Sequence, residues 1–216
     1  MAMRINAGKE QIRRALSLPL PGEQAHREMM SYRRSTAAEA RAGNPPPRQG
    51  AVLMLLIPDK RSEDLNTLFI RRPHYDGVHS GQLAFPGGKL EPADSGLLAA
   101  ALRETQEETG IDISGVEILG ALSEIYIPPS HFIVQPFVGW AEEVPDLHPD
   151  PREVEEVLLE PLSRLLHPDN RRMQRIYMPT FKAWIDAPAM DVQGHILWGA
   201  TAMMVHEFRA AVFSVE

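Results

Sequence analysis

The stretch "GGKLEPADSGLLAAALRETQEETGI", Gly87 to Ile111, combines a helix signal with an acidic cluster. Asp94 or Ser95 serves as the N-cap, and Gly110 stands where a helix C-terminal glycine belongs. At about 100° per residue, Leu97, Leu98, Ala101, Leu102, Thr105 and Thr109 share an arc of about 140° that packs on one side. Glu104, Glu107 and Glu108 fill the arc beside it. Like charges three and four residues apart repel by roughly 0.2–0.5 kcal/mol per pair, and Arg103 reaches Glu107 only in the weaker pair orientation. Solvent, a basic partner or a divalent cation must therefore neutralise the cluster. Magnesium binds through one or two carboxylates plus substrate phosphates. Glu104 and Glu108, one turn apart, can grip one ion, Glu107 extends the site toward a second, and a carbonyl of the Gly87-Gly88 turn adds a ligand. The plain alternative is a solvated acidic helix face.

Outward from this helix, the composition is that of a globular protein of one or two domains: 216 residues, 44% apolar and 24% charged. The net charge of −7 is uneven, because residues 1–50 hold nine Lys/Arg against four Asp/Glu and the remainder 13 against 25. An acidic body argues against broad nucleic-acid binding and disfavours an anionic substrate unless a metal ion mediates. With no cysteine, disulfides, thiol nucleophiles and thiolate metal sites are excluded. The longest apolar run, "AVLMLLI" at Ala51–Ile57, is far short of the roughly 20 residues a membrane helix needs. No stretch has the pattern of a targeting signal, so a cytoplasmic protein is expected.

Two polar helical stretches, "GKEQIRRALSL" and "EQAHREMMSYRRSTAAEARA", precede "GNPPPRQG", an extended linker. This divides the chain into an N-terminal helical arm with linker, 1–47, and a main domain, 48–216. "AVLMLLI" and "LNTLFIRR" read as adjacent strands, as do "VEILGALSEIYI", "HFIVQPFVGWA" and "EVEEVLLEPL" further on. A short helix is expected at "LSRLLH" and a longer one, covering a sheet face, from Trp198.

Gly87–Ile111 resembles the Nudix box, the signature of hydrolases that cleave nucleoside diphosphates linked to another group. That box ends in Arg-Glu-aliphatic-any-Glu-Glu-any-Gly-aliphatic, matched here by Arg103, Glu104, Glu107, Glu108, Gly110 and Ile111. The acidic position counted from Gly88 falls on Asp94, with eight residues instead of seven before Arg103, and Thr105 replaces the usual aliphatic residue. "HSGQLAFPGGKLEPAD" resembles a second signature, that of the coenzyme A pyrophosphatase subfamily. Arg72, His79, Gly81, Gln82, Phe85, Pro86, Gly87 and Gly88 match, and Gly77 stands in place of an arginine.

The resemblance implies a Nudix-type α/β/α sandwich with a mixed β-sheet, the box helix at the active site, and attack of water on a pyrophosphate. With coenzyme A the products are 3',5'-ADP and 4'-phosphopantetheine. It implies Glu104, Glu107 and Glu108, with Gly88, as ligands of Mg2+ or Mn2+, and Arg103 orienting a glutamate or touching phosphate. Arg72, His79, Gly81, Gln82 and Phe85 become the substrate-binding set, although Phe85 also reads as a core residue. The proton acceptor stays open among Glu107, Glu153, Glu155 and Glu156, and neither His79 nor His131 is given a ligand role. The expected partner is a small nucleotide resembling coenzyme A, with no nucleic acid and no membrane, and the basic arm offers a surface for a homodimer. The rival readings are a hydrolase of ADP-ribose or a dinucleotide, and a non-catalytic module that senses a nucleotide.

Overall fold

The computed structural model describes residues 7–62, 64–75, 77, 79–178 and 182–213. In chain order the elements are α1 (Lys9–Leu16), α2 (Glu23–Glu28), α3 (Ala37–Arg41), β1 (Arg48–Asp59), β2 (Asp64–Arg71), β3 (Leu83–Ala84), β4 (Gly87–Lys89), α4 (Leu97–Thr109), β5 (Val116–Ala121), β6 (Ile125–Ile127), β7 (Phe132–Ala141), β8 (Glu156–Pro161), α5 (Leu162–Leu165), β9 (Arg171–Met178), β10 (Ala183–Val192), β11 (His195–Trp198) and α6 (Gly199–Phe213).

The unbroken apolar run in β1 has a physical cause, since a strand covered on both faces needs apolar side chains at every position. Met54 and Leu56 join the core cluster that contains Phe208 and Met204 of α6, whereas Leu53, Leu55 and Ile57 join the cluster packed by Leu102 of α4. β1 runs parallel to β7 and antiparallel to β2. The larger sheet is ordered β3-β2-β1-β7-β5, with β4 beside β1, β6 beside β7 and β8 beside β2. One parallel pairing among antiparallel ones makes the sheet mixed, and helices on both faces make the α/β/α sandwich that was expected. Along one edge of β1, β4 takes Gly50–Val52 while β2 takes Leu56–Asp59, so this edge is shared and opens toward α4.

The structure differs from the sequence reading in three places. α4 begins at Leu97 with Gly96 at its N-cap and no side-chain cap. Asp94 does not cap it, because its carboxylate accepts from the Glu91 N–H and from Arg103 instead. The second N-terminal helix is broken into α2 and α3, and α3 restarts at a capping box in which Thr36 accepts from the Glu39 N–H while Glu39 accepts from the Thr36 N–H. A three-stranded sheet, β11-β10-β9, went unpredicted, because β9 exposes most of its residues and so carries little alternation.

Ile12, Ala15, Leu16 and Met29 of the N-terminal segment belong to the same cluster as α6. A buried network holds this segment in place. Glu207 of α6 accepts from the Gly22 and Ser123 N–H groups, each at 3.2 Å, and lies 2.8 Å from His26 Nε2. Among the described residues no helix is long and apolar enough to cross a membrane.

Candidate active site

α4 approaches β4 and β1 closely because Gly87 and Gly88 lack side chains. A Cβ on Gly88 would stand 2.4 Å from Cδ of Glu104, and one on Gly87, whose φ is +147°, would stand 2.3 Å from the Ala51 carbonyl oxygen. The close approach lets the Gly87 N–H donate to Glu108 Oε2 at 2.8 Å. Glu108 is only 3% exposed. Burial pushes its carboxyl up to about 7, opposed by the Arg72 guanidinium at 3.7 Å and by the Gly87 N–H. Burial also raises Glu104, opposed by Arg103 at 3.2 Å. Thr105, in place of an aliphatic residue, sits buried on the packed face without an orphaned hydroxyl, because it donates to the Ala101 carbonyl at 2.7 Å.

A third carboxylate arrives from the loop between β7 and β8. The last carbonyls of a helix lack partners within it, and here they accept from the loop: Thr109 O from the His148 N–H at 2.8 Å, and Glu108 O from the Asp150 N–H at 3.2 Å. These bonds pin the loop to the end of α4 and carry Glu153 to the cluster. One carboxylate oxygen each from Glu104, Glu108 and Glu153 lie within 4.8 Å of one another.

Glu107 is not brought to this meeting point. It lies on the exposed side of α4, where Arg103 Nη1 donates to it at 2.8 Å. Glu155 and Glu156 are also drawn elsewhere, pairing with Arg71 at 3.1 and 3.0 Å. Arg103 grips Asp94 in a two-pronged pair at 2.9 and 3.0 Å and donates to the Lys89 carbonyl at 3.2 Å. The Asp94 hydrogen bonds raise the Arg103 pKa, and the pair ties the loop before α4 to the acidic face.

The cluster opens on a cavity of about 790 Å³. Arg72, His79 and Gln82 line it. His79 Nδ1 lies 3.0 Å from Gln82 Oε1, and burial lowers the imidazole's pKa. Gly81 shapes the loop, since at its φ of +67° a Cβ would stand 2.5 Å from His74. The Phe85 ring is 1% exposed and stacks on Phe69 at 4.9 Å, which is a core position. His131 lies 2.9 Å from the Tyr126 hydroxyl and 3.1 Å from the Pro45 carbonyl, away from the acidic residues.

Sequence reasoning gave no place in this wall to Tyr32 and Arg34, or to Ile176, Tyr177 and Met178 of β9. The Thr36–Glu39 capping box signals the helix break that frees Tyr32 and Arg34. Nothing local signals the β9 residues. The donor set suits a divalent cation: three carboxylates are hard oxygen ligands, and a buried carboxyl held near neutrality gains most when an opposite charge arrives.

Fold and site together define the class: this chain belongs to the NUDIX domain family, whose model matches residues 47–181, and it is a Nudix hydrolase. Among its relatives, the uncharacterized Nudix hydrolase NudL of Photorhabdus laumondii is 32% identical over 174 residues, covering 76% of this chain and 85% of that protein. The human mitochondrial coenzyme A diphosphatase NUDT8 is 32% identical over 141 residues, covering 62% of this chain and 57% of that protein. A crystal structure of a MutT/nudix family protein from Enterococcus faecalis has the same fold, with a TM-score of 0.50 at 20% identity over 79% of this chain and 61% of the other.

Proposed function

We propose that this chain is a metal-dependent diphosphatase of coenzyme A or its derivatives, releasing 3',5'-ADP and 4'-phosphopantetheine or its acyl form. The observation that carries the reading is the meeting of Glu104, Glu108 and Glu153 within 4.8 Å at the wall of a cavity of about 790 Å³. Glu104 and Glu108 are the residues that would hold Mg2+ or Mn2+, beside the backbone of Gly88. Such an ion would supply the charge neutralisation and the activation of water that phosphoryl transfer mainly demands.

The chain's own groups do the rest. Arg103, fixed by Asp94, holds the acidic face in register, and Arg72 faces the diphosphate with its positive charge. Glu153 is exposed and stands on a loop. It accepts the proton of the attacking water as the new P–O bond forms and the bridging oxygen leaves with its electron pair. The loop carrying His79 and Gln82 forms the adjoining wall, and likeness to human NUDT8 supports coenzyme A as the substrate.

Incubation with Mg2+ followed by chromatography tests the reading. Adenosine 3',5'-bisphosphate released from coenzyme A supports it. AMP from ADP-ribose, with coenzyme A untouched, moves the substrate to ADP-ribose, and no turnover of either makes the chain a binding module. A second expectation separates the glutamates. Glu153→Gln lowers kcat by about 10²- to 10⁴-fold, the usual contribution of a positioned proton acceptor, and Glu107→Gln lowers it far less. The reverse order in steady-state rates would return the role to Glu107.

A further inference from the structure

The cavity wall carries both signs of charge: Glu104 and Glu153 of the acidic cluster line it, and so do Arg34, Arg72 and His79. Arg72 is already engaged, 3.7 Å from Glu108 and 3.4 Å from the Gly87 carbonyl. Arg34 has no anionic partner: its Nε is buried without a hydrogen bond, and among the described residues no carboxylate forms a salt bridge with it, the Tyr32 side chain being its neighbour. Its guanidinium lies over the Tyr32 ring, Cζ 5.0 Å from the centroid. The charges of Arg72 and Arg34 both act on His79 in the same wall, so the cavity holds a second cation besides the one beside Glu108.

Burying part of a guanidinium with no anion beside it is unfavourable, and burial lowers the Arg34 pKa, opposed only by the Tyr32 side chain. A wall residue left in that state is matched when an anion enters. Arginine suits phosphate, because its planar fork donates two parallel hydrogen bonds. Gly77, which stands where the resembled signature has an arginine, lines the same cavity and supplies no charge.

Resting on the coenzyme A reading above, we propose that Arg34 is a specificity-determining residue that binds a phosphate monoester of the substrate lying beyond the cleaved diphosphate, the 3'-phosphate of coenzyme A. The break between α2 and α3 is then functional, because one continuous helix would not present Arg34 from an extended segment.

Calorimetry with the full chain in the absence of divalent cations tests this without requiring turnover. Wild type binds adenosine 3',5'-bisphosphate more tightly than AMP by about 10- to 100-fold, the range of a hydrogen bond between charged groups. Arg34→Gln removes that preference by weakening the bisphosphate alone, and Arg34→Lys keeps part of it. Equal affinities in wild type, a preference that survives Arg34→Gln, or an equal loss for both ligands overturns the proposal. The two readings fail separately. A chain that hydrolyses coenzyme A but shows no Arg34-dependent preference loses only this proposal. A chain that shows the preference but hydrolyses neither substrate loses only the hydrolase reading.

Discussion

Glu108→Gln is expected to lower kcat by about 10²- to 10³-fold or more, the scale of removing one preorganised electrostatic group from a site, while the fold survives. The amide matches the carboxylate in shape, and its oxygen can still accept from the Gly87 N–H that holds Glu108 at 2.8 Å. Only the charge is lost, and the charge is what a cation held by Glu104 and Glu108, with Glu153 beside them, would require. Thermal melts provide a readout apart from turnover. A ligand that binds only the folded state stabilises it by about 2.7 kcal/mol at a hundred times its Kd, or about 5–10 °C for a chain of this size. Mn2+ is expected to raise the wild-type Tm on this scale and to leave the Glu108→Gln melt nearly unmoved. Wild-type turnover together with an undiminished Mn2+ shift in the variant would remove Glu108 from the site.

Glu207→Ala is expected to be strongly destabilising, by about 3–5 kcal/mol, because leaving a buried donor unpaired costs about 1–3 kcal/mol and Glu207 serves three. The Glu207 side chain is fully buried and serves three donors: the Gly22 N–H, the Ser123 N–H and His26. Alanine strands all three and leaves a void beneath α2. At about 2–4 °C per kcal/mol the Tm falls by roughly 6–20 °C. Burial acts to raise the Glu207 pKa, but the hydrogen bonds from His26 and Ser123 outweigh it and hold the carboxyl below its ordinary 4.5. A depressed carboxyl stabilises the fold above its unfolded value and loses that contribution as pH falls through the folded one. The gap between wild type and Glu207→Ala is therefore full at pH 7 and narrows below about pH 4.5. Denaturant unfolding at pH 7 and pH 4 measures it, and a gap under about 1 kcal/mol at pH 7, an ordinary mutational effect, would show that the network does not hold the N-terminal segment. Since that segment carries Tyr32 and Arg34, its loosening also opens the wall of the cavity that they line.

Much of the site was legible because its signals are local. The spacing of Glu104 and Glu108 on one face of α4, the glycines that let β4 lie under them, and Gly110 as the helix stop with a φ of +73° all follow from positions within a few turns of one another. The strand at β1 could be read from the apolar run Ala51–Ile57, whereas the mixed sheet was expected only from the resemblance to the Nudix box. The N-cap was misplaced because Asp94 had a stronger partner in Arg103 than in the helix it precedes.

The sequence by itself determined the acidic helix and its glycine turn, since periodicity, glycine placement and charge spacing each act over a few residues, and the resemblance of that stretch to the Nudix box carried the family and the sandwich. Only the tertiary structure decided which glutamate completes the cluster. Glu107 is one residue from Glu108 yet belongs to Arg103, whereas Glu153 lies 45 positions further along the chain and reaches the cluster because its loop satisfies the terminal carbonyls of α4. It also placed Arg34 in the cavity wall and fastened α2 to α6 through Glu207. For Glu153 and Glu207 the physical reason is the same: a buried charge or an orphaned backbone group takes its partner from whatever the fold brings within about 3 Å, and distance along the chain does not enter that choice.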